Sequence, residues 1–189
     1  KSYKDIPLGE TIKVLKSKYH EHRLTALIIL VYKYEQAAKK KTANPDLQQE
    51  IYDLYLANRK HINNWDLIDV TTPKIVGAHL LTRPNHRQIL YDFAKSPDLW
   101  ERRIAILATY TFIKAGYLQD TLNIAEILIS DTEDLIHKAT GWMLREAAKI
   151  NQPPVEDFLK KHMSTMPRTM LRYTIERFSQ QKKDFFMGR

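Results

Sequence analysis

The sequence contains no cysteine, which excludes a disulfide framework and thiolate chemistry and makes a reducing compartment the simpler expectation. Glycine is scarce, five in 189 residues, so a glycine-rich loop cradling phosphates is not expected. The longest apolar run, Leu27 to Tyr32, is far short of the ~20 residues that a membrane span needs, and no membrane partner is expected. Alternating β-branched stretches and Asn-Gly or Asp-Gly hairpin turns are missing. The seven histidines form no His-Glu-x-x-His motif, and neither a phosphate-binding loop, a dinucleotide glycine pattern nor a nucleophile elbow is present. No metal and no nucleotide or other cofactor is therefore expected. His20 and His22, two residues apart, fall on different helix faces and make poor joint ligands. The chain opens on Lys1 with no signal-type segment, as a piece starting inside a longer protein would.

What is present is helical periodicity and positive charge. The pattern predicts an all-α chain with helices at Ile12–Lys18, His22–Lys39, Leu47–Arg59, Lys74–Leu81, Asn85–Lys95, Leu99–Lys114 and Leu118–Ile129. Two further helices open at Asp131 and around Thr165–Pro167. Asn44-Pro45-Asp46 supplies a cap, a first-turn proline and a dipole-matching carboxylate, and Ser96-Pro97-Asp98 repeats the signature. Residues 1–189 are read as a single domain. The formal charge of +8 and pI near 9.5 favour a polyanionic partner. From Lys160 to Arg189, eight basic residues face only Glu176 and Asp184. Lys182 to Arg189 reads as a solvated tail, whereas Arg168 and Arg172 stand within a helical pattern as binding candidates.

Charged positions recur at a loose period. Asp69 to Arg103 spans 34 residues, Arg103 to Lys138 spans 35 and Lys138 to Arg172 spans 34, as in helix pairs stacked into a solenoid. The segment from His20 to Leu27 is similar to that from Trp100 to Leu107, pairing Arg23 with Arg103. Each of the three tryptophans has a charged residue one helical turn away: Trp65 with Asp69, Trp100 with Arg103, and Trp142 with Lys138 and Arg145. Asn63 or Asn64 can cap the helix at Trp65, and Asp66 in the first turn is explained by the helix dipole. Asp69 lies beyond that turn, on the face of Trp65. It is either a salt-bridge partner or a site residue. Trp100 and Trp142 are likewise open to two readings, packing against a neighbouring helix or contact with a ligand.

Four segments carry a family resemblance. Ile62–Asp69 (Ile-Asn-Asn-Trp-Asp-Leu-Ile-Asp), Leu99–Ala105 (Leu-Trp-Glu-Arg-Arg-Ile-Ala), Ile136–Glu146 and Met166–Tyr173 resemble, in order, the AlkD-type DNA alkylation-repair glycosylases, and the likeness runs from about Arg23 to Phe178. The resemblance implies a HEAT-like helical-pair α-solenoid with a basic concave face on duplex DNA. It also implies removal of cationic alkylpurines, 3-methyladenine and 7-methylguanine, as the first step of base excision repair. By matching segment, Asp69 takes the place of the catalytic carboxylate, with Trp65 and Trp142 as the aromatics facing the damaged nucleotide. Arg103 and Arg145 take the DNA-contacting places, joined by Lys138, Arg168 and Arg172 on the basic stripes. Part of the family's N-terminal helices is expected to be missing, with any lesion contacts they carry. The implied partner is duplex DNA bearing alkylated bases, met by a monomer in the cytoplasm, nucleoid-associated in a prokaryote. The alternative is a non-catalytic HEAT-like protein recognising bent or structured DNA.

Overall fold

The computed structural model describes residues 5–188, and all regular structure among them is helical. Residues 1–4 and Arg189, the last of the C-terminal basic run, lie outside the described residues. The chain gathers into two compact units that divide between Pro84 and Asn85.

The first unit comprises α1 (Leu8–Leu15), α2 (His20–Ala37), α3 (Pro45–Ala57) and α4 (Trp65–Thr72), the last running on into α5 (Ala78–Leu81). α3 starts as the sequence predicts: the Asn44 side chain accepts from the Leu47 N–H at 3.0 Å, and Pro45 fills a first-turn position that lacks a partner for an N–H anyway. The expectation of a separate helix at Lys74–Leu81 is corrected. Pro73 has no N–H for the carbonyl of Asp69 four residues back, and its ring crowds that carbonyl. The helix responds by widening into a π-helical turn, Pro73–Gly77, and continues without a break. α2 packs on α1, α3 and α4, around buried Leu15, Leu27, Leu30, Ile51, Leu67 and Ile68.

The second unit comprises α6 (Gln88–Ala94), α7 (Leu99–Lys114), α8 (Gln119–Ile127), α9 (Asp134–Ile150), α10 (Gln152–His162), α11 (Arg168–Thr174) and α12 (Gln180–Met187). α9 is its centre, packed along α7 on one side and α11 on the other. One face of α9 is buried at Ile136, Ala139, Thr140, Met143 and Ala147, while Ile150 emerges half exposed at the helix end. α7 stops after Lys114, where Gly116 takes a φ of 86°, a conformation that side chains rarely tolerate. Two starts differ from expectation. Asp98, not Ser96, caps α7, accepting from the Trp100 N–H at 2.8 Å, and Pro97 lies outside the helix. Thr165 bonds back to the His162 carbonyl and does not cap α11.

Two helices were not expected. α10 buries Val155, Phe158 and Leu159, a spacing of three and four that two prolines at its start obscure in the sequence. The supposed tail from Lys182 is α12: Ser179 caps it, Phe186 is buried with its ring 6.1 Å from that of Phe178, and Lys182 pairs with Glu156.

A recurring device sets where helices begin. In the α1–α2 turn, the Ser17 hydroxyl accepts from the Tyr19 N–H, and Arg23 donates to the carbonyls of Ser17 and Lys18 at 3.2 and 3.1 Å. In the α6–α7 turn, the Ser96 hydroxyl accepts from the Asp98 N–H, and Arg102 donates to the carbonyls of Ser96 and Pro97, both at 3.0 Å. The structural counterpart of Arg23 is therefore Arg102, and the pairing of Arg23 with Arg103 is off by one residue.

The α9–α11 contact is close because Gly141 has no side chain. A Cβ there would stand 2.6 Å from both the Met170 carbonyl oxygen and the Tyr173 Cβ. Gly141→Ala is expected to cost about 1–3 kcal/mol in urea unfolding, whereas Gly9→Ala, with open space around it, is expected to leave stability unchanged or slightly raised. Equal midpoints for the two variants would show that α9 and α11 have room to part.

Candidate functional site

In the first unit the site candidates sit on the first two turns of α4. Trp65 is the first helical residue and is 52% exposed, unusual for so large an apolar side chain. The asparagines before it do not cap as expected: Asn64 makes no side-chain capping bond, and Asn63 accepts from the Arg23 guanidinium at 3.2 Å. The first turn is served instead by Asp66, whose one carboxylate oxygen accepts from the Leu67 N–H at 2.9 Å while the other lies 2.7 Å from His20 Nε2. Both partners of that pair are about 30% exposed. Asp69 follows one turn after Trp65, half-buried on the same helix face.

Asp69 stands over a well-anchored stretch of helix. The fully buried Tyr55 hydroxyl lies 2.9 Å from the Thr71 hydroxyl and 2.8 Å from that of Thr72, tying α3 to α4. Burial pushes the Tyr55 phenol up to about 12, and the negative charge of Asp69 adds to the rise against the two threonine bonds. Tyr34 is also pushed up to about 12, by burial above all. The carboxylate of Asp69 thus rests on a rigid helix whose neighbouring phenol stays neutral throughout the ordinary pH range.

In the second unit the expected residues divide into three groups. Trp142 is half-buried on α9, its ring 6.1 Å from that of Tyr110 on α7 and tilted by 44°. Trp100, at the start of α7, is half-buried as well. Arg103 is 5% exposed, and its guanidinium donates to the Leu135 carbonyl at 2.6 Å, so it braces α9 from within and does not offer its charge at the surface. Lys138 pairs with Asp134 at 2.6 Å, a contact that lowers the acid's pKa and raises the amine's, each through hydrogen bond and charge. Arg145 is bound to Glu176 and lies 3.7 Å from Glu146. Arg168 and Arg172 are exposed; Arg168 donates to the Met187 carbonyl at 3.2 Å, and Arg172 has no ion-pair partner among the described residues.

Three residues that sequence reasoning passed over are built into these surroundings. His20 reaches Asp66 from 46 positions away, a distance that no local pattern reveals. Arg23 fixes Asn63, just before Trp65. Arg102 binds Asp131, just before α9, at 2.6 and 3.4 Å with both side chains largely buried. The shared Lys-Ser start of the two turns, Lys16-Ser17 and Lys95-Ser96, was the signal that could have identified both arginines. No group of three or more His, Asp or Glu side chains placed to hold a metal ion occurs among the described residues. No helix among them is long and apolar enough to cross a membrane.

Residues 1–178 match the family described as DNA alkylation repair enzyme. The fold is similar to that of a solved structure described as a predicted DNA alkylation repair enzyme from Enterococcus faecalis, with a TM-score of 0.71 and 16% identity over 94% of this chain and 80% of that one. No curated protein sequence matches this chain.

The raised phenols give an alkaline signature. Above pH 10 the unfolded tyrosines ionise, while the buried Tyr34 and Tyr55 hold their protons until about 12. Stability is therefore fully present below pH 10 and falls as pH rises toward 12, on the order of 2–3 kcal/mol for Tyr55. Tyr55→Phe is expected to lose about 1 kcal/mol at neutral pH with its hydrogen bonds, and to flatten the alkaline decline. Parallel pH profiles of wild type and variant in urea unfolding would contradict this assignment.

Proposed function

The chain belongs to the DNA alkylation repair enzyme family, and from that premise we propose that it hydrolyses the N-glycosidic bond of cationic alkylated purines, such as 3-methyladenine and 7-methylguanine, in duplex DNA. The observation that carries the reading is the pairing of half-exposed Trp65 with Asp69 one turn later on α4. Capping does not require Asp69, because Asp66 already serves the first turn.

The chemistry needs few groups. A purine alkylated at N3 or N7 already carries positive charge and departs as a neutral base without protonation by a general acid. As the bond breaks the sugar becomes oxocarbenium-like, and a carboxylate beside it stabilises the developing charge and orients water. At ~4 Å and an effective dielectric near 20 the attraction is on the order of 4 kcal/mol, an upper bound on the gain because the ground-state cation is attracted too. The face of the Trp65 indole, negative in its quadrupole, favours a cationic base or sugar by roughly 0.5–2 kcal/mol. Trp142 is proposed as a further aromatic contact to the same DNA, with Arg168 and Arg172 as phosphate contacts. Lys138 and Arg145 would have to exchange carboxylates for phosphates to take part, so their contribution is smaller than their charge suggests.

Single-turnover release of 7-methylguanine from duplex DNA tests the reading. Wild type is expected to release the base; Asp69→Asn is expected to slow release by roughly 10²- to 10³-fold, and Trp65→Ala by about 2- to 30-fold. Release by Asp69→Asn at the wild-type rate sinks the assignment of the carboxylate. Salt-sensitive duplex binding without release by wild type leaves a non-catalytic DNA-binding protein.

A further inference from the structure

Unneutralised positive charge gathers at one corner of the first unit. The Arg23 guanidinium joins two turns there, donating to Ser17 and Lys18 carbonyls on one side and to Asn63 on the other. That bridge brings Lys16 and Lys18, at the end of α1, together with Lys60 and His61, in the turn before α4. Lys16, Lys18 and Lys60 are all exposed. The positive surroundings are felt by His61, whose pKa is lowered by burial first and then by the charges of Lys60, Lys16 and Arg23.

Several lysines of the second unit have their charge cancelled within the chain. Lys138, Lys149, Lys160, Lys161 and Lys182 each sit against a carboxylate of the chain. Among the described residues none pairs with Lys16, Lys18 or Lys60. Of the acids close by in sequence, Asp66 is engaged by His20 at 2.7 Å, and Glu21 lies exposed in the first turn of α2. Lys18 holds its ammonium 5.1 Å above the ring of Tyr19, itself 55% exposed. Three lysines left without counterions around a fixed guanidinium, with an exposed ring beside them, suit a polyanion whose charges repeat along a chain.

We propose that this corner is a phosphodiester-binding surface, at which Lys16, Lys18 and Lys60 hold the backbone of duplex DNA flanking the nucleotide at Trp65. It rests on the DNA reading above but not on excision. Lysine ammonium groups act here as point charges that replace condensed counterions, which makes the contact non-specific in sequence and sensitive to salt. Arg23, committed to three oxygens of its own chain, holds the two turns in place.

The test measures binding of the full chain to a short unmodified fluorescent duplex by anisotropy over a range of salt concentrations. Lys16→Ala/Lys60→Ala is expected to weaken binding and to reduce the slope of log K against log[salt] by about 1.8, two contacts at about 0.9 each. Lys39→Ala/Lys41→Ala, which removes the same charge from an exposed turn elsewhere in the unit, is expected to leave the slope unchanged. Thermal melts of both variants check that the fold is kept. Equal slopes for all three proteins, or equal losses in the two variants, would overturn the proposal. So would binding to phosphatidylserine-containing vesicles that depends on Lys16 and Lys60 while duplex binding does not, which would assign the surface to a lipid. Base release is followed in parallel: release with an unchanged salt slope removes this surface and keeps the glycosylase reading, and a changed slope without release does the reverse.

Discussion

An arginine in the first turn of a helix, reaching back to the carbonyls of the turn before it and across to the turn that opens a later helix, is the constraint on which the placement of the site residues rests. Arg23 does this toward Asn63 and so sets the start of the helix carrying Trp65 and Asp69. Arg102 does it toward Asp131 and so sets the start of the helix carrying Trp142. The guanidinium suits the task because its donors lie in a rigid plane and satisfy several oxygens at fixed angles. A lysine would supply the charge without the geometry. Removing one partner of a pair as buried as Arg102–Asp131 typically costs about 3–5 kcal/mol, because the other is left charged and unsatisfied.

That constraint also sorts the basic residues by what they do. A net charge of +8 suggests a uniformly cationic surface, yet much of the positive charge is spent internally. Arg103 is buried against a backbone carbonyl, Arg102 and Arg87 are paired with aspartates, and Arg145 is tied to Glu176. Charge still on offer includes Arg172 in the second unit and, in the first, the lysines around Arg23 and those at 39–41. Charge that is already paired must be freed before it can bind a phosphate, so the unpaired residues dominate the field that an approaching polyanion meets.

The sequence made the helices legible where a local rule governed them. α7 runs over Leu99–Lys114 as its periodicity predicts, and the Asn44 cap is where the side-chain type requires it. The adjacency of Trp65 and Asp69 followed from helical spacing alone. What escaped depended on partners distant in sequence: His20 with Asp66, Arg23 with Asn63, and the burial of Arg103 against Leu135. Composition misled at α12, where lysines mask a helix held by the burial of one phenylalanine, Phe186. It misled at α10 as well, because prolines that begin a helix look the same in a sequence as prolines that prevent one.

The π-helical turn at Pro73–Gly77 gives the helix of Trp65 and Asp69 one residue more than an α-helical turn would hold. One residue corresponds to about 100° of rotation about the helix axis. Beyond the turn the chain is locked by the buried side chains of His79 and Leu80. Before it, Trp65 and Asp69 project from a segment whose angular setting depends on that extra residue. The turn therefore works as a gear offset between two stretches of helix that are each anchored in the core. Loss of a single residue within it would keep every side chain of the site and aim them all elsewhere.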